Sequence, residues 1–103
     1  MRERVESVIR ELAAEYMARE SNRQSLVTVT RASIADTGHT ATVYITVLPD
    51  ERETAALAFA NRKRNDFWLF LKEHSRLKVL PTVRFALDKG EKNRQNLDTL
   101  SKE

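Results

Sequence analysis

The apolar positions of the first twenty residues repeat with a helical period. Val5, Val8, Ile9, Leu12, Ala13, Tyr16 and Met17 fall at i, i+3, i+4, i+7, i+8, i+11 and i+12, one stripe of an amphipathic helix. Arg4, Glu6, Arg10, Glu11 and Arg19 lie mostly off that stripe. The helix is expected to fade at Ser21-Asn22, whose short polar side chains compete for backbone hydrogen bonds. The period then changes. Leu26 to Ile34, rich in Val, Thr and Ile, predicts a strand, although its imperfect alternation does not say which face is inside. Thr40 to Leu48 alternates cleanly, with Ala41, Val43, Ile45 and Val47 one way and Thr40, Thr42, Tyr44 and Thr46 the other. Ala35-Asp36-Thr37-Gly38 between the two suits an antiparallel hairpin, one face of which should be solvated.

Pro49-Asp50 ends the second strand, and Asp50 with Glu53 has the spacing of a capping box. No Gly or Pro interrupts the chain from there to Lys78. Ala56, Phe59, Ala60 and Lys63 share one helical face, and Phe67, Phe70, Leu71 and His74 share another. The run Asn61-Arg62-Lys63-Arg64-Asn65-Asp66 puts charge on the continuing apolar face, so two helices are expected to meet near 63–66, the second capped by Asn65 or Asp66. Pro81 precedes a last strand, Thr82 to Asp88, with Val83, Phe85 and Leu87 inward and Thr82, Arg84 and Ala86 outward. The order is α-β-β-α-α-β, an α+β domain with helices packed on one face of a three-stranded sheet. Residues 1–89 form this single domain, and the polar residues 90–103 are expected to be a flexible tail.

Length and charge narrow the picture. With 103 residues, 41% hydrophobic, there is one core and no room for a second. Cysteine is absent, which excludes disulfides, thiolate zinc sites and iron–sulfur clusters. MRERVESVIR lacks the apolar run of a secretory signal, and no stretch approaches the ~20 apolar residues of a membrane-spanning helix. A cytoplasmic protein with no membrane partner is expected. The charge is uneven. Residues 1–50 carry six Lys or Arg and seven Asp or Glu, whereas 61–94 carry ten cations against Asp66, Glu73, Asp88 and Glu91. A local excess of six within a net charge of +3 suggests an anionic partner, the plainer reading being solvated surface.

Together with that order, three stretches resemble the bacterial ribosome-binding factor A family. They are RVESVIRELAAEYMARE, then LVTVT followed across the turn by HTATVYITVL, then RLKVLPTVRFALD. Arg94-Gln95-Asn96-Leu97-Asp98-Thr99-Leu100 also looks like the family's closing Arg-and-leucine pattern. The resemblance implies a type II KH-like fold, whose two central helices meet at a loop that contacts nucleic acid. It further implies a non-enzymatic factor that binds the small (30S) ribosomal subunit and 16S rRNA. Such a factor supports late rRNA maturation, notably 5′-end processing, with importance in the cold. Where relatives carry Ala-x-Gly at the helix junction this chain has Lys63-Arg64-Asn65, and Asn65, which tolerates left-handed backbone next best after glycine, could still make the bend.

The candidate RNA-binding group is Arg62, Lys63, Arg64, Asn65, Lys72, Arg76 and Lys78, because Lys and Arg neutralise phosphates whatever the base sequence. The alternative is that these charges only solubilise, with Lys63 and Arg76 laying their stems over the core. Arg2, Arg4, Lys89, Lys92 and Arg94 are weaker RNA candidates. Trp68 and Leu69 lie off the apolar stripe and are candidates for a partner surface or a base-stacking platform, unless a loop or the tail covers them. No catalytic constellation is present: His39 and His74 stand apart, and HExxH, P-loop and nucleophile-elbow patterns are missing. Two separated histidines without cysteines do not make a closed zinc site, so no metal, cofactor or small-molecule substrate is expected. The protein is expected to act as a monomer. The competing function is a protein-interaction adaptor on the same KH-like scaffold that has lost RNA binding.

Overall fold

The first apolar stripe folds into helix α1, Arg2–Glu20, in a computed structural model that describes residues 2–20 and 24–91. Ile9, Ala13, Tyr16 and Met17 are buried along it, and Val5 and Leu12 pack at its margins. Strands β1 (Leu26–Ile34) and β2 (Thr40–Leu48) form the expected antiparallel hairpin. Its turn closes through Gly38 N–H to Ala35 O (2.8 Å) and Ala35 N–H to Thr40 O (2.9 Å). Gly38 has φ 77°, a region that strains any residue with a Cβ. Strand β3 (Thr82–Leu87) lies parallel to β2, giving the order β1-β2-β3. A parallel neighbour needs a crossover, supplied here by a 3-10 turn (Asp50–Arg52) and helices α2 (Glu53–Arg62) and α3 (Arg64–His74). The chain is thus the α+β arrangement expected, with its core between the helices and the sheet face made by Ala41, Val43, Ile45 and Val47, all fully buried.

The irregular alternation of β1 has a physical cause. Val27 and Val29 pair with Val47 and Ile45, whereas Ala32 and Ile34 pair with Val43 and Ala41. The register shifts between Val29 and Arg31, so Thr30 is the extra residue of a β-bulge. Inward positions are odd-numbered before it and even-numbered after it. Both sheet edges are met by side chains. Glu6 of α1 accepts the Ile34 N–H at 2.7 Å on the β1 edge. On the β3 edge the Asn61 amide accepts the Phe85 N–H (2.9 Å) and donates to Phe85 O (3.1 Å), copying one step of a β ladder. These contacts cover backbone groups that otherwise invite another strand.

Two expectations need correction. Thr42 and Thr46 are buried rather than solvated, because β2 is the central strand and side chains of β1 and β3 crowd its outer face. Arg84 Nε donates to Thr42 Oγ1 at 3.1 Å across that face. The α-helix starts at Glu53, after the 3-10 turn, and neither Pro49 nor Arg52 at the two N-caps makes a side-chain cap hydrogen bond. After β3, residues 89–91 form a helical turn, and 92–103, most of the expected tail, lie outside the described residues.

Candidate nucleic-acid interface

The basic run between α2 and α3 is divided by a single residue. Lys63, at φ −93° and ψ 4°, is the last cap of α2 and the N-cap of α3. Its N–H reaches both Phe59 O and Ala60 O at 3.1 Å, a tightened last turn, and Phe67 N–H takes up Lys63 O at 2.9 Å. The junction is therefore at Lys63, not Asn65. Asn65 sits in the first turn of α3, and among the described residues no non-glycine has positive φ. The switch occurs where the Ala56–Ala60 face of α2 hands the core over to Phe67, Phe70 and Leu71 of α3, and a bridge-region lysine achieves it without left-handed backbone.

Lys63 is half-buried, with its ammonium 3.8 Å from both Glu20 and Asp66 and 5.9 Å from the Phe59 ring. It ties the end of α1 to the start of α3, so much of its charge is answered within the protein. Arg62 and Arg64, on either side, are exposed and have no ion-pair partner among the described residues. Arg62 turns toward β1. With Gln24, Ser25, Val27, Arg52, Ala55, Ala56 and Phe59 it lines a cleft of about 180 Å³ between α2 and the start of β1. Arg52 Nη1 donates to Gln24 Oε1 at 3.2 Å across the mouth. This cleft, with apolar floor and two guanidinium groups, was not anticipated from the sequence. Its signal was there in Arg52, Ala55, Phe59 and Arg62, at i, i+3, i+7 and i+10 on one helical face.

Along α3 the side chains sort by flank. Arg64, Trp68 and Lys72 follow at i, i+4 and i+8 on one side, with the Lys72 ammonium 5.7 Å above the Trp68 ring. Trp68 is half-buried and Leu69 is 52% exposed. Leu69 borders a separate groove between α1 and α3, about 280 Å³, lined also by Tyr16, Arg19, Glu20, Asp66, Phe70 and Glu73. Burial first, then the Glu20 and Asp66 carboxylates, push the Tyr16 phenol up. His74, expected on the apolar stripe, is exposed at the end of α3, stacked on Phe70 (4.1 Å) with Nδ1 2.9 Å from Phe70 O.

The cations therefore form a strip, not a knot. Lys72 is about 12 Å along α3 from Arg64, and Arg76 and Lys78 follow the far end of α3, roughly 15 Å from the junction along its axis. Both are exposed, so Arg76 does not lay its stem over the core. Arg4 is exposed near the other end of α1, about 24 Å along that helix from Glu20 and thus far from the junction. Lys89 is exposed beyond β3. The side chain of Arg2, with Lys92 and Arg94, lies outside the described residues. Among the described residues no three His, Cys, Asp or Glu side chains gather as a metal site, and no helix is long and apolar enough to cross a membrane.

The family model for ribosome-binding factor A matches residues 1–101. The chain belongs to that family. Solved structures share its fold. The crystal structure of ribosome-binding factor A from Thermus thermophilus superposes with a TM-score of 0.75 at 20% identity, over 84% of this chain and 96% of that one. A candidate ribosome binding factor A from Thermotoga maritima, solved by NMR, gives 0.65 at 30% identity, over 80% and 81%. A Thermus thermophilus homology model fitted into the cryo-EM map of a 30S complex gives 0.70 at 20%, over 82% and 91%. No curated protein sequence matches the chain.

Proposed function

We propose that this ribosome-binding factor A family member binds 16S rRNA on the small ribosomal subunit through the junction of α2 and α3 and supports late maturation of that RNA, including processing of its 5′ end. The observation that carries the reading is the pair Arg62 and Arg64, exposed and unpaired among the described residues on either side of Lys63. The neighbouring cleft adds Arg52 and an apolar floor, suited to phosphate at its rim and a base or ribose within. Arg64, Lys72, Arg76 and Lys78 extend the strip, and Asn65 offers an amide beside it. The complex in which a Thermus thermophilus relative was placed, with the 30S subunit, supports the same partner here. The protein acts without catalysis, as a monomer in the cytoplasm, and matters most where rRNA misfolds readily, in the cold.

Lys63 answers Glu20 and Asp66, so reversing it would disturb the fold as well as the surface. The cleaner variant is Arg62→Glu/Arg64→Glu. In sucrose gradients the wild type is expected with free small subunits and the variant near the top. With about four phosphate contacts, log K should fall against log salt with a slope near −3. Co-sedimentation of the variant equal to wild type would overturn the junction reading. Weak salt dependence with loss of binding on Leu69→Asp would favour the adaptor, whose surface would be the groove beside Leu69.

A further inference from the structure

The sheet has a second face, and no described helix covers it. Helices pack against the side carrying Val43 and Ile45, while Thr28, Arg31, Tyr44, Thr46, Arg84 and Ala86 point the other way. The Arg31 guanidinium carbon lies 4.0 Å from the centre of the Tyr44 ring, one strand away, and its side chain is 58% exposed. At that distance the guanidinium lies over the ring, and more than half of the side chain stays open to solvent. Two residues along, on the opposite flanking strand, Arg84 spends its Nε–H on Thr42 Oγ1. Its remaining N–H donors have no partner among the described residues. The carboxylate of this face, Asp88, is 8% exposed and engaged by Thr30 and Arg31. Hydroxyl groups of Thr28, Thr40 and Thr82 are exposed around the arginines, and Leu26 and Leu48, paired at one end, add apolar surface.

We propose that this open sheet face is a second RNA contact, in which an unpaired base stacks on the Arg31–Tyr44 layer and Arg84 holds an adjacent phosphate. Charge decides the occupant. The face presents two cations with unused donors and no exposed carboxylate, which matches a polyanion, and its flat cationic layer matches a base, since bases stack on guanidinium planes as readily as on aromatic rings. A protein surface without carboxylates placed to meet them would leave both guanidinium groups desolvated without partners, whereas an RNA strand carries a phosphate at every nucleotide. This rests on the reading that the protein binds RNA, and it adds a surface remote from the helix junction, on the other side of the sheet.

The test is binding of a short 5-bromouridine-substituted oligouridylate to the full chain, followed by irradiation and peptide mapping. Cross-linking to Tyr44 is expected. Arg31→Gln/Arg84→Gln should weaken binding about tenfold and make the salt slope shallower by about 0.7, the phosphate contact being that of Arg84. Because removing Arg31 also takes a partner from Asp88, a second variant, Thr28→Glu, keeps every contact and adds one negative charge; it should weaken binding in the same direction. If Arg62→Glu/Arg64→Glu abolishes binding while the face variants leave affinity, slope and cross-link position unchanged with no adduct at Tyr44, the second contact is refuted and the junction reading stands. If neither set of variants changes binding, both readings fall.

Discussion

Asp88 connects three parts of the molecule through one carboxylate. Its Oδ1 accepts the Glu91 N–H at 3.1 Å, capping the helical turn after β3, and its Oδ2 accepts the Thr30 hydroxyl at 2.6 Å from the bulge of β1. Arg31 Nε adds charge at 3.5 Å. The Thr30 hydrogen bond above all, then the Glu91 N–H and the Arg31 charge, hold its pKa below the usual carboxylate value despite burial. A lowered folded-state value means the unfolded chain binds the proton more readily. The stabilisation is therefore complete above the unfolded-chain value of about 3.9 and is lost as pH falls through the lower folded value. Asp88→Asn should cost about 1–3 kcal/mol at neutral pH. In urea titrations the wild type should lose that margin below about pH 4, while the variant shows none to lose. Equal stabilities at pH 7 would contradict this account. The sequence showed Asp88 only as the end of a strand, because the partner that lowers its pKa most, Thr30, is 58 positions away.

At the scale of elements, the junction and the bulge show how far a pattern can be read. The two-helix reading of 53–74 rested on Arg62-Lys63-Arg64 interrupting an apolar face, and the helices do part there. The break at Lys63 lies within the expected 63–66, but Asn65 does not make it, since a residue tolerant of left-handed backbone was chosen for a bend that uses none. Asn65 now stands in an exposed first turn of α3, where ordinary helix propensity applies. Asn65→Ala should stabilise by about 0.5 kcal/mol and Asn65→Gly should destabilise by a few tenths, read from urea midpoints. A gain on introducing glycine would mean that the backbone there is left-handed after all. For β1, the sequence showed an imperfect alternation, and the register breaks at Thr30. The extra residue was visible as an irregularity, and only its pairing with β2 shows it to be a bulge.

For the molecule as a whole, Phe67 is where the layers meet. It is fully buried, with ring centres 5.5 Å from Tyr16 of α1, 6.4 Å from Phe70 of α3 and 5.9 Å from Phe85 of β3. Phe67→Ala should cost about 3–5 kcal/mol in global unfolding, a large part of a small domain's stability. A loss below 1 kcal/mol would mean that the layers do not close on this ring. The surface divides by chemistry around that core. Arg62 and Arg64 face outward beside one cleft, the groove at Leu69 carries carboxylates, and the open sheet face carries Arg31 and Arg84. The charge surplus of 61–94 suggested an anionic partner without saying which surface would meet it, because an exposed arginine on a helix flank and one on a sheet have the same local sequence pattern.

What the sequence determined alone was everything with a period shorter than one element: α1, the hairpin, the paired helices, the last strand, and which apolar side chains enter the core outside β1. Those follow from side-chain spacing along a helical turn or a pleat, and neighbours in the chain are enough to set them. Only the tertiary structure decided that β3 runs parallel to β2, that Asn61 and Glu6 close the sheet edges, that Lys63 is spent on Glu20 and Asp66, and that Arg52 joins Arg62 at a cleft. Each of these joins residues distant along the chain, brought together by burying one continuous apolar layer, and no local pattern encodes a meeting of that kind.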